Sequence, residues 1–572
     1  MSDLQSPARE LPRNLMLGIA FGQGIALFLL WRALDNQVWP SQTPAVNFPL
    51  WTLALAWPVL MLLSLETGNL RRCLKAVSLF TAVLVLLAIY IGWQATPHGE
   101  FPIESLLFVS AVTGAIACFK GLMYCQRWIG QTPPSYEHLF RYSWRNFLVF
   151  ALANLLTVGV SLILFLTGAL FSQIGIDFFR DLFREDWFLF PVLAVAFGLG
   201  VLIFRRLVPV IDTITALLEG LMRLLLPLIA AVVVAFLGAL PFTGLEPLWD
   251  TGSGTALLLW LNAFGLFFVN AVYQTGRNLP YPALFHRLLS PAIALLPVVS
   301  VLALYGLYLR IDEYGLTVAR CWALTVFAIL ALFSGGYAWS IVRKRADWPL
   351  HLGRVNRVMG WVVLGVMLLV NSPLLDFRSI SLASQLARVE AGEIELRDFD
   401  FHFAKHELAR PGYLEMQALI ERFKDSDPGL VQSIREPVRR MPGWEKRHDD
   451  VWERMVYRPE PFEAPAGLHE AIWRSRPGLP ESHEDFVLIR IDLDNDGLPE
   501  YVLLAKERGY PGVDGWRYSR DGDAWTGKPL YLPGGVPEDI DLTVTFRNAE
   551  IETVDPRFRN LKIGELEFRG GH

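Results

Sequence analysis

The sequence has few cysteines, and none lies where a disulfide-stapled or thiolate metal domain would need one. Only four occur in 572 residues, at positions 73, 118, 125 and 321. The polar C-terminal region therefore has no disulfide framework and no thiolate metal site. The sequence also lacks a glycine-rich phosphate loop, a nucleophilic serine elbow and a carboxylate pair with a recognisable role. Without a complete catalytic constellation, we expect a protein that is not an enzyme.

A strong charge of either sign is also lacking. The net charge is -5, from 51 lysines and arginines against 56 aspartates and glutamates, and it gives no argument for binding nucleic acid. Apolar residues are abundant instead, since hydrophobic residues make up 53% of the chain without counting glycine. Soluble domains usually reach about 45–50% with glycine included. This excess indicates a membrane protein.

The apolar residues are concentrated in eleven runs, each near the ~20 residues that cross the hydrocarbon core. Lipid offers the backbone no hydrogen-bond partners, so these runs should be helices. The last run is the weakest, because Asn371, Ser372 and Pro373 interrupt it. The predicted spans cover residues 15–31, 49–65, 76–93, 106–124, 147–171, 187–204, 224–240, 256–273, 291–309, 316–342 and 358–375.

The positive charges between the spans predict the orientation. With the N-terminus in the cytoplasm, the cytoplasmic connections hold 19 lysines and arginines and the opposite connections hold four. Positive charge favours the cytoplasmic side. Eleven spans then place the C-terminal region outside the cytoplasm. If the eleventh run is only interfacial, that region is cytoplasmic instead.

Several polar side chains fall within the spans, where they are costly and become candidates for function. As a transport site they would line a polar path, which makes a transporter or channel one alternative function. As packing groups, the amides would bond neighbouring helices and the arginine would extend to the interface. The candidates are Asn154, Asn262, Asn270, Gln274 and Arg320.

The composition divides the chain into a multi-span helical domain, residues 1–375, and a polar C-terminal region. Residues 376–480 show helical spacing, and residues 481–572 show short strands predicted at 486–491, 501–505, 530–532 and 542–546. The predicted fold is therefore an α-helical polytopic membrane bundle followed by a small α+β soluble domain with an antiparallel sheet.

The sharpest motif of the soluble region is an acidic loop at residues 492–500. Its alternating carboxylates, followed by glycine and a further acid, are typical of a loop that binds Ca²⁺ through oxygen ligands. The flanking strands and the absence of an acid at the twelfth position exclude an EF-hand. The other interpretation is a metal-free hairpin turn. The predicted calcium ligands are Asp492, Asp494, Asp496, the carbonyl of Leu498, and Glu500.

Three segments together resemble a bacterial membrane family catalogued as domain of unknown function 4153. They are residues 314–317 with Arg320, residues 384–388 with Glu390 and Gly392, and the loop at 492–500. The resemblance implies a multi-pass protein of the bacterial inner membrane with this kind of C-terminal region. It implies no activity and assigns no functional residue.

We therefore expect an inner-membrane protein with a role in envelope interaction, sensing or assembly, with structural calcium in its extracytoplasmic domain. Its expected partners are the lipid bilayer and other envelope proteins. The alternatives are the transporter or channel, with a path near Asn262, Asn270, Gln274 and Arg320, and an envelope enzyme acting at the outer membrane–water interface.

Overall fold

The computed structural model describes residues 11–132, 135–245, 248–249, 253–273 and 279–435. It also describes residues 452, 455–459, 462, 464–465, 467–476, 479, 483–493, 497–507, 513–521, 524–530, 561–563 and 566–568. The chain forms two compact units. The first, called the membrane unit here, comprises residues 1–399 and 403–431, and the second, the sheet unit, comprises residues 400–402 and 432–572.

Within the described residues, eleven helical segments are long and apolar enough to cross a membrane. The predicted multi-pass helical architecture is therefore confirmed. The ninth segment consists of two consecutive helices, Ala283–Ala294 and Leu296–Tyr314, and the short helix Phe178–Arg184 lies between spans. The helices are α1 (Arg13–Asp35), α2 (Pro44–Ser64), α3 (Leu70–Gln94), α4 (Glu104–Gly130), α5 (Tyr136–Gln173), α6 (Phe178–Arg184), α7 (Asp186–Arg206), α8 (Val208–Thr243), α9 (Gly254–Tyr273), α10 (Ala283–Ala294), α11 (Leu296–Tyr314), α12 (Val318–Lys344) and α13 (Trp348–Leu369).

The weakest predicted span is a full helix whose position differs from the prediction. Helix α13 begins ten residues earlier than the apolar run and ends before the interrupting residues. Asn371 closes this end, because its Nδ2 donates to the carbonyl of Met367 at 2.8 Å and to Thr113 Oγ1 of α4 at 2.8 Å. The polar residues that weakened the pattern therefore terminate the helix.

The two largest apolar cores of the described membrane unit lie side by side along the chain. One is built by α1–α5, α7 and the start of α8 around buried residues such as Met61 and Val201, and the other by α8–α13 around Val299 and Tyr337. Helices α4 and α13 join the two cores, and the rings of Tyr124 and Trp361 stack there with centroids 3.9 Å apart.

Four further helices follow the spans. They are α14 (Phe377–Glu390), α15 (Phe401–Glu407), α16 (Ala409–Phe423) and α17 (Pro428–Arg435). The composition changes near residue 376, whereas the contacts assign α14, α16 and residues 428–431 to the membrane unit. These helices lie in the first part of the region 376–480 predicted as helical, whereas residues 456–458 of the same region form a short strand.

The sheet unit contains a five-stranded sheet in the order β1-β2-β3-β4-β5 and a two-stranded hairpin, β6-β7. Strands β2 to β5 are antiparallel as predicted, whereas β1 joins β2 in parallel. Apolar residues of β2, β3 and β4 pack with α18 in one core. The elements are β1 (Val456–Arg458), α18 (Leu468–Ser475), β2 (His483–Ile491), β3 (Glu500–Glu507), β4 (Val513–Asp521), β5 (Ala524–Leu530), β6 (Leu561–Ile563) and β7 (Leu566–Phe568).

The first two predicted strands lie within β2 and β3. Residue 530 of the third, at 530–532, is the last residue of β5, and the rest of it lies outside the described residues, as does the fourth, at 542–546. Strands β4 and β5 were not predicted, because glycine, proline and charged residues interrupt their apolar alternation.

Candidate functional site

Two segments whose bonded residues are 65 to 75 positions apart in the sequence form one structure at the end of the membrane unit where the chain leaves α13. We call this end the exit end. The connection between α11 and α12, residues 314–317, lies against helix α14. We call the two together the clasp.

Side chains of helix α14 form hydrogen bonds with the backbone of the connection rather than with its side chains. Gln385 Nε2 donates to the carbonyls of Tyr314 and Leu316, both at 3.0 Å. Ser384 Oγ accepts from Leu316 N at 3.2 Å, and Ser381 Oγ donates to Leu316 O at 3.1 Å. The last carbonyls of a helix have no partner within it, so these side chains satisfy groups that α11 and its connection leave open.

Arg388 and Gly315 complete the contact between α14 and the connection. Arg388 Nη2 donates to Glu313 O at 3.0 Å. Gly315 has φ +70°, and a Cβ there would lie 2.9 Å from the side chains of both Gln385 and Arg388. Glycine is therefore favoured here by its backbone conformation and by the closeness of α14.

Arg320, one of the predicted intramembrane candidates, belongs to the same clasp. It lies in the first turn of α12, where its Nη1 donates to Gly315 O at 2.6 Å and to Tyr314 O at 3.1 Å. Its guanidinium also lies 5.3 Å from the centroid of the Tyr314 ring. The side chain thus binds the same connection that α14 binds, and it shares the carbonyl of Tyr314 with Gln385.

The start of α14 is held by a carboxylate that the sequence analysis missed. Asp376 is 4% exposed, and its oxygens accept from Gln94 Nε2 at 2.9 Å, Ser379 Oγ at 3.0 Å and Tyr90 Oη at 3.1 Å. They also accept from the backbone N and Nη1 of Arg378, at 3.2 and 3.1 Å. An aspartate directly before an amphipathic run is an N-cap signature that could have indicated this residue.

Helix α16 is bound to the same end of the unit. Arg410 Nη1 donates to Thr96 Oγ1 at 2.7 Å and to Thr96 O at 3.0 Å, and its guanidinium lies over the ring of Trp93. Tyr413 packs against Phe101 with ring centroids 5.8 Å apart. Helix α14 is thus attached to the connection before α12, and helix α16 is attached to the connection after α3.

Asn262 and Asn270 bond hydroxyls and amides of neighbouring helices. Asn262 is fully buried, and its Nδ2 donates to Ser300 Oγ at 2.5 Å, which in turn lies 3.2 Å from Ser334 Oγ. Asn270 Oδ1 accepts from Tyr136 Oη and, at 2.8 Å, from Asn356 Nδ2. These contacts are typical of polar helix packing in membranes.

Asn154 and Arg320 lie apart from these two. Asn154 is in α5 and bonds its own helix, through Nδ2 to Phe150 O at 2.8 Å. Arg320 precedes Ser334 by 14 residues on α12, which is about 21 Å along a helix. Gln274 lies outside the described residues. The transport path stays a prediction, and the described contacts support the packing interpretation.

Three of the five predicted calcium ligands are described, and they lie where β2 turns into β3. Glu500 is 5% exposed, and its Oε2 accepts from Leu493 N at 2.7 Å. Asp492 Oδ2 accepts from Gly497 N at 3.0 Å, whereas Asp492 Oδ1 is buried without a hydrogen-bond partner among the described residues. Gly497 has φ +87°. Asp494 and Asp496 lie outside the described residues, so the metal site stays a prediction.

Comparison with known proteins identifies the family of the membrane unit. A family described as Domain of unknown function (DUF4153) matches residues 50–419, a range that includes both segments of the clasp. The acidic loop, which contributed to the resemblance, lies outside the matched range. No curated protein and no solved structure matches the chain significantly. The chain therefore belongs to the DUF4153 family of membrane proteins.

Proposed function

We propose that the protein is a non-enzymatic scaffold of the bacterial inner membrane that fixes its C-terminal region on the extracytoplasmic side. There the region would serve envelope interaction, sensing or assembly. The observation that carries this proposal is the clasp, which binds α14 to the connection before α12 through side chain–backbone hydrogen bonds.

The contacts of the clasp support a mechanical role. Hydrogen bonds to backbone carbonyls depend on direction, so they fix the orientation of α14 more narrowly than apolar contacts would. A catalytic role would require a group that is free to react. The carboxylate of Asp376 instead accepts five hydrogen bonds, more than its roughly four lone-pair sites accommodate without sharing.

The proposed orientation rests on the number of spans and on the excess of positive charge between alternate spans. An odd number of spans requires the first residue and the residues after the last span to lie on opposite sides. The clasp agrees with this count, because it joins the residues after the eleventh span to the end of the ninth. The positive-inside rule then supports an exit end outside the cytoplasm.

Cysteine labelling in intact spheroplasts tests this orientation. In a variant lacking the four native cysteines, single cysteines would replace Ala391, exposed after α14, or Arg206, exposed at the end of α7. A membrane-impermeant maleimide should label Ala391→Cys in intact spheroplasts and Arg206→Cys only after lysis. The reverse pattern would place the C-terminal region in the cytoplasm and contradict the proposal.

We also propose that Ca²⁺ stabilises the β2–β3 turn. The support is chemical: the buried Oδ1 of Asp492 has no described hydrogen-bond partner, and such an atom is costly unless something binds it. The carboxylates at 492, 494, 496 and 500 are oxygen donors of the kind that Ca²⁺ prefers. The ion would hold the turn together and take no part in a reaction.

Thermal unfolding of the full-length protein with and without calcium tests this site. At a hundredfold excess over Kd, calcium should stabilise the folded protein by about 2.7 kcal/mol. Asp492→Ala should abolish the increase in Tm. Asp485→Ala, which changes an acid of β2 that pairs with Lys506 at 3.8 Å, should preserve it. No increase in the unsubstituted protein would identify a metal-free acidic turn.

A further inference from the structure

A second polar site lies at the end of the membrane unit opposite the clasp. A cavity of about 30 Å³ opens where α2, α4, α5 and α7 meet. About 10–15 Å³ suffices for one water, so this cavity has room for a compact tetrahedral group. Its polar wall includes Ser64, Glu66, Tyr142, Arg145, Asn146 and Arg205.

Arg205 is built into the wall of this cavity. The residue is 7% exposed, and its Nη1 donates to Leu62 O at 2.7 Å and to Leu65 O at 2.9 Å. These carbonyls belong to the end of α2, where no intrahelical donors remain. One nitrogen of the guanidinium thus anchors the group. Its other nitrogens have no hydrogen-bond partner within the described part of the chain.

Arg145 lies next to Arg205 and, like it, uses only one guanidinium nitrogen in hydrogen bonds with the described residues. Its Nη2 donates to Arg205 O at 3.1 Å, and among the described residues its other nitrogens bond nothing. The amides of Gln126 and Asn146 are already engaged, because they bond each other at 2.9 and 2.8 Å. These amides therefore shape the wall, and the guanidinium groups supply the donors that remain.

The charge of the cavity and its N–H groups without a described hydrogen-bond partner together indicate the chemistry of a ligand. Arg145 and Arg205 outnumber Glu66, which leaves one net positive charge at the cavity. Ser64 Oγ is also buried without a hydrogen-bond partner among the described residues. Two guanidinium groups and a hydroxyl around a small space suit a tetrahedral oxyanion, since arginine matches phosphate in both charge and geometry.

We propose that this pocket binds a phosphate group, carried by an anionic phospholipid or by a soluble phosphate. The surroundings favour the lipid, because Arg71, Arg72, Arg141 and Arg206 lie at the same end of the unit. Basic pockets between transmembrane helices attract anionic headgroups. The site is independent of the function proposed for the clasp.

The test measures ligand-induced stabilisation of the full-length protein in detergent, followed by tryptophan fluorescence during heating. One series adds phosphatidylglycerol, a second adds phosphatidylcholine and a third adds inorganic phosphate. Arg145→Gln should weaken binding about tenfold or more, the loss expected for one charge-assisted hydrogen bond. Arg206→Gln removes the same charge from an exposed neighbour of Arg205 that does not line the cavity, and it should lower the affinity far less than Arg145→Gln does.

Each outcome bears on the proposal. Stabilisation by phosphatidylglycerol but not by inorganic phosphate, lost in Arg145→Gln alone, identifies a lipid headgroup site. Stabilisation by inorganic phosphate with the same variant pattern identifies a soluble phosphate as the ligand. Equal losses in Arg145→Gln and Arg206→Gln, or no binding in any series, overturn the proposal. Ser64→Ala, which breaks no described hydrogen bond, provides the same test if Arg145→Gln fails to fold.

Discussion

Both ends of the membrane unit use an arginine to bind the carbonyls that close a helix, but the two arginines have different surroundings. Arg320 binds the carbonyls of Tyr314 and Gly315, and α14 packs against the same connection. Arg205 binds the carbonyls of Leu62 and Leu65, and a cavity remains beside it. Both arginines thus bind carbonyls at the end of a helix, whereas only Arg205 of the two lines the cavity.

The two ends show two roles that polar residues can have near a membrane. At the clasp, Gln385 and Arg388 direct their donors at backbone acceptors, which is what a mechanical junction requires. At the opposite end, Arg145 and Arg205 each retain nitrogens without a described partner. Residue type alone does not distinguish these cases, because the difference lies in how many donors the protein itself uses.

The largest expected effect follows from the burial of Arg205. Arg205→Leu should lower the free energy of unfolding by about 2–5 kcal/mol, because two buried carbonyls lose their donor. Arg320→Leu should cost about 1–2 kcal/mol, since Arg320 is only half-buried and water can replace part of its contacts. Chemical unfolding of the purified protein in detergent, followed by tryptophan fluorescence, measures both. Equal losses would contradict the difference drawn between the two ends.

The clasp itself can be examined with two glycines of matched backbone conformation. Gly315 has φ 70° and ψ -175°, and Gly244 has φ 74° and ψ -176°, each at the end of a helix. An added Cβ meets Gln385 and Arg388 at 2.9 Å in the first case and nothing within 4 Å in the second. Both alanine variants bear the backbone strain, but only Gly315→Ala also disturbs α14.

Gly315→Ala should therefore be more destabilising than Gly244→Ala by about 1 kcal/mol or more. The readout is the difference between their unfolding midpoints in the same detergent. Faster hydrogen exchange in α14 should accompany the loss in Gly315→Ala only. If the two variants behave alike, α14 adjusts freely and the clasp is not a rigid junction.

Much of the fold could be predicted from the sequence because the bilayer imposes a simple rule. Each apolar run had to become a helix, and the described residues contain eleven such segments. The residues at which the helices begin and end were less predictable. Helix α13 starts ten residues before its apolar run, since residues such as Arg354 and Arg357 extend the helix without raising its hydropathy.

The sites could be predicted only in part, because they depend on contacts between distant residues. Residues 314–317 and 384–388 each carry part of the family resemblance, but nothing in their spacing shows that one binds the backbone of the other. Asp376 was missed although it has an N-cap signature. The pocket around Arg205 was invisible for a different reason: its arginines resembled the ordinary positive charges that flank membrane spans.

The smallest expected effect concerns an exposed ion pair that contrasts with the buried arginines. Asp427 Oδ1 accepts from Leu430 N at 3.0 Å at the start of α17, and its Oδ2 pairs with the mostly exposed Arg397 at 2.7 Å. The backbone N–H of Leu430, followed by the guanidinium of Arg397, lowers the pKa of Asp427 below its ordinary value of 3.8. The folded state thus binds a proton there less readily than the unfolded state does.

The sign of the pH effect follows from this difference. A lowered pKa stabilises the folded form at pH values above 3.8, and that stabilisation disappears as the pH falls through the lower folded value. Asp427→Asn should therefore increase hydrogen exchange in α17 slightly at neutral pH and have no effect in strong acid. Because solvent screens this pair, the change should remain far below that of Arg205→Leu. A comparable loss would mean that exposure is not what separates the strong polar contacts of this protein from the weak ones.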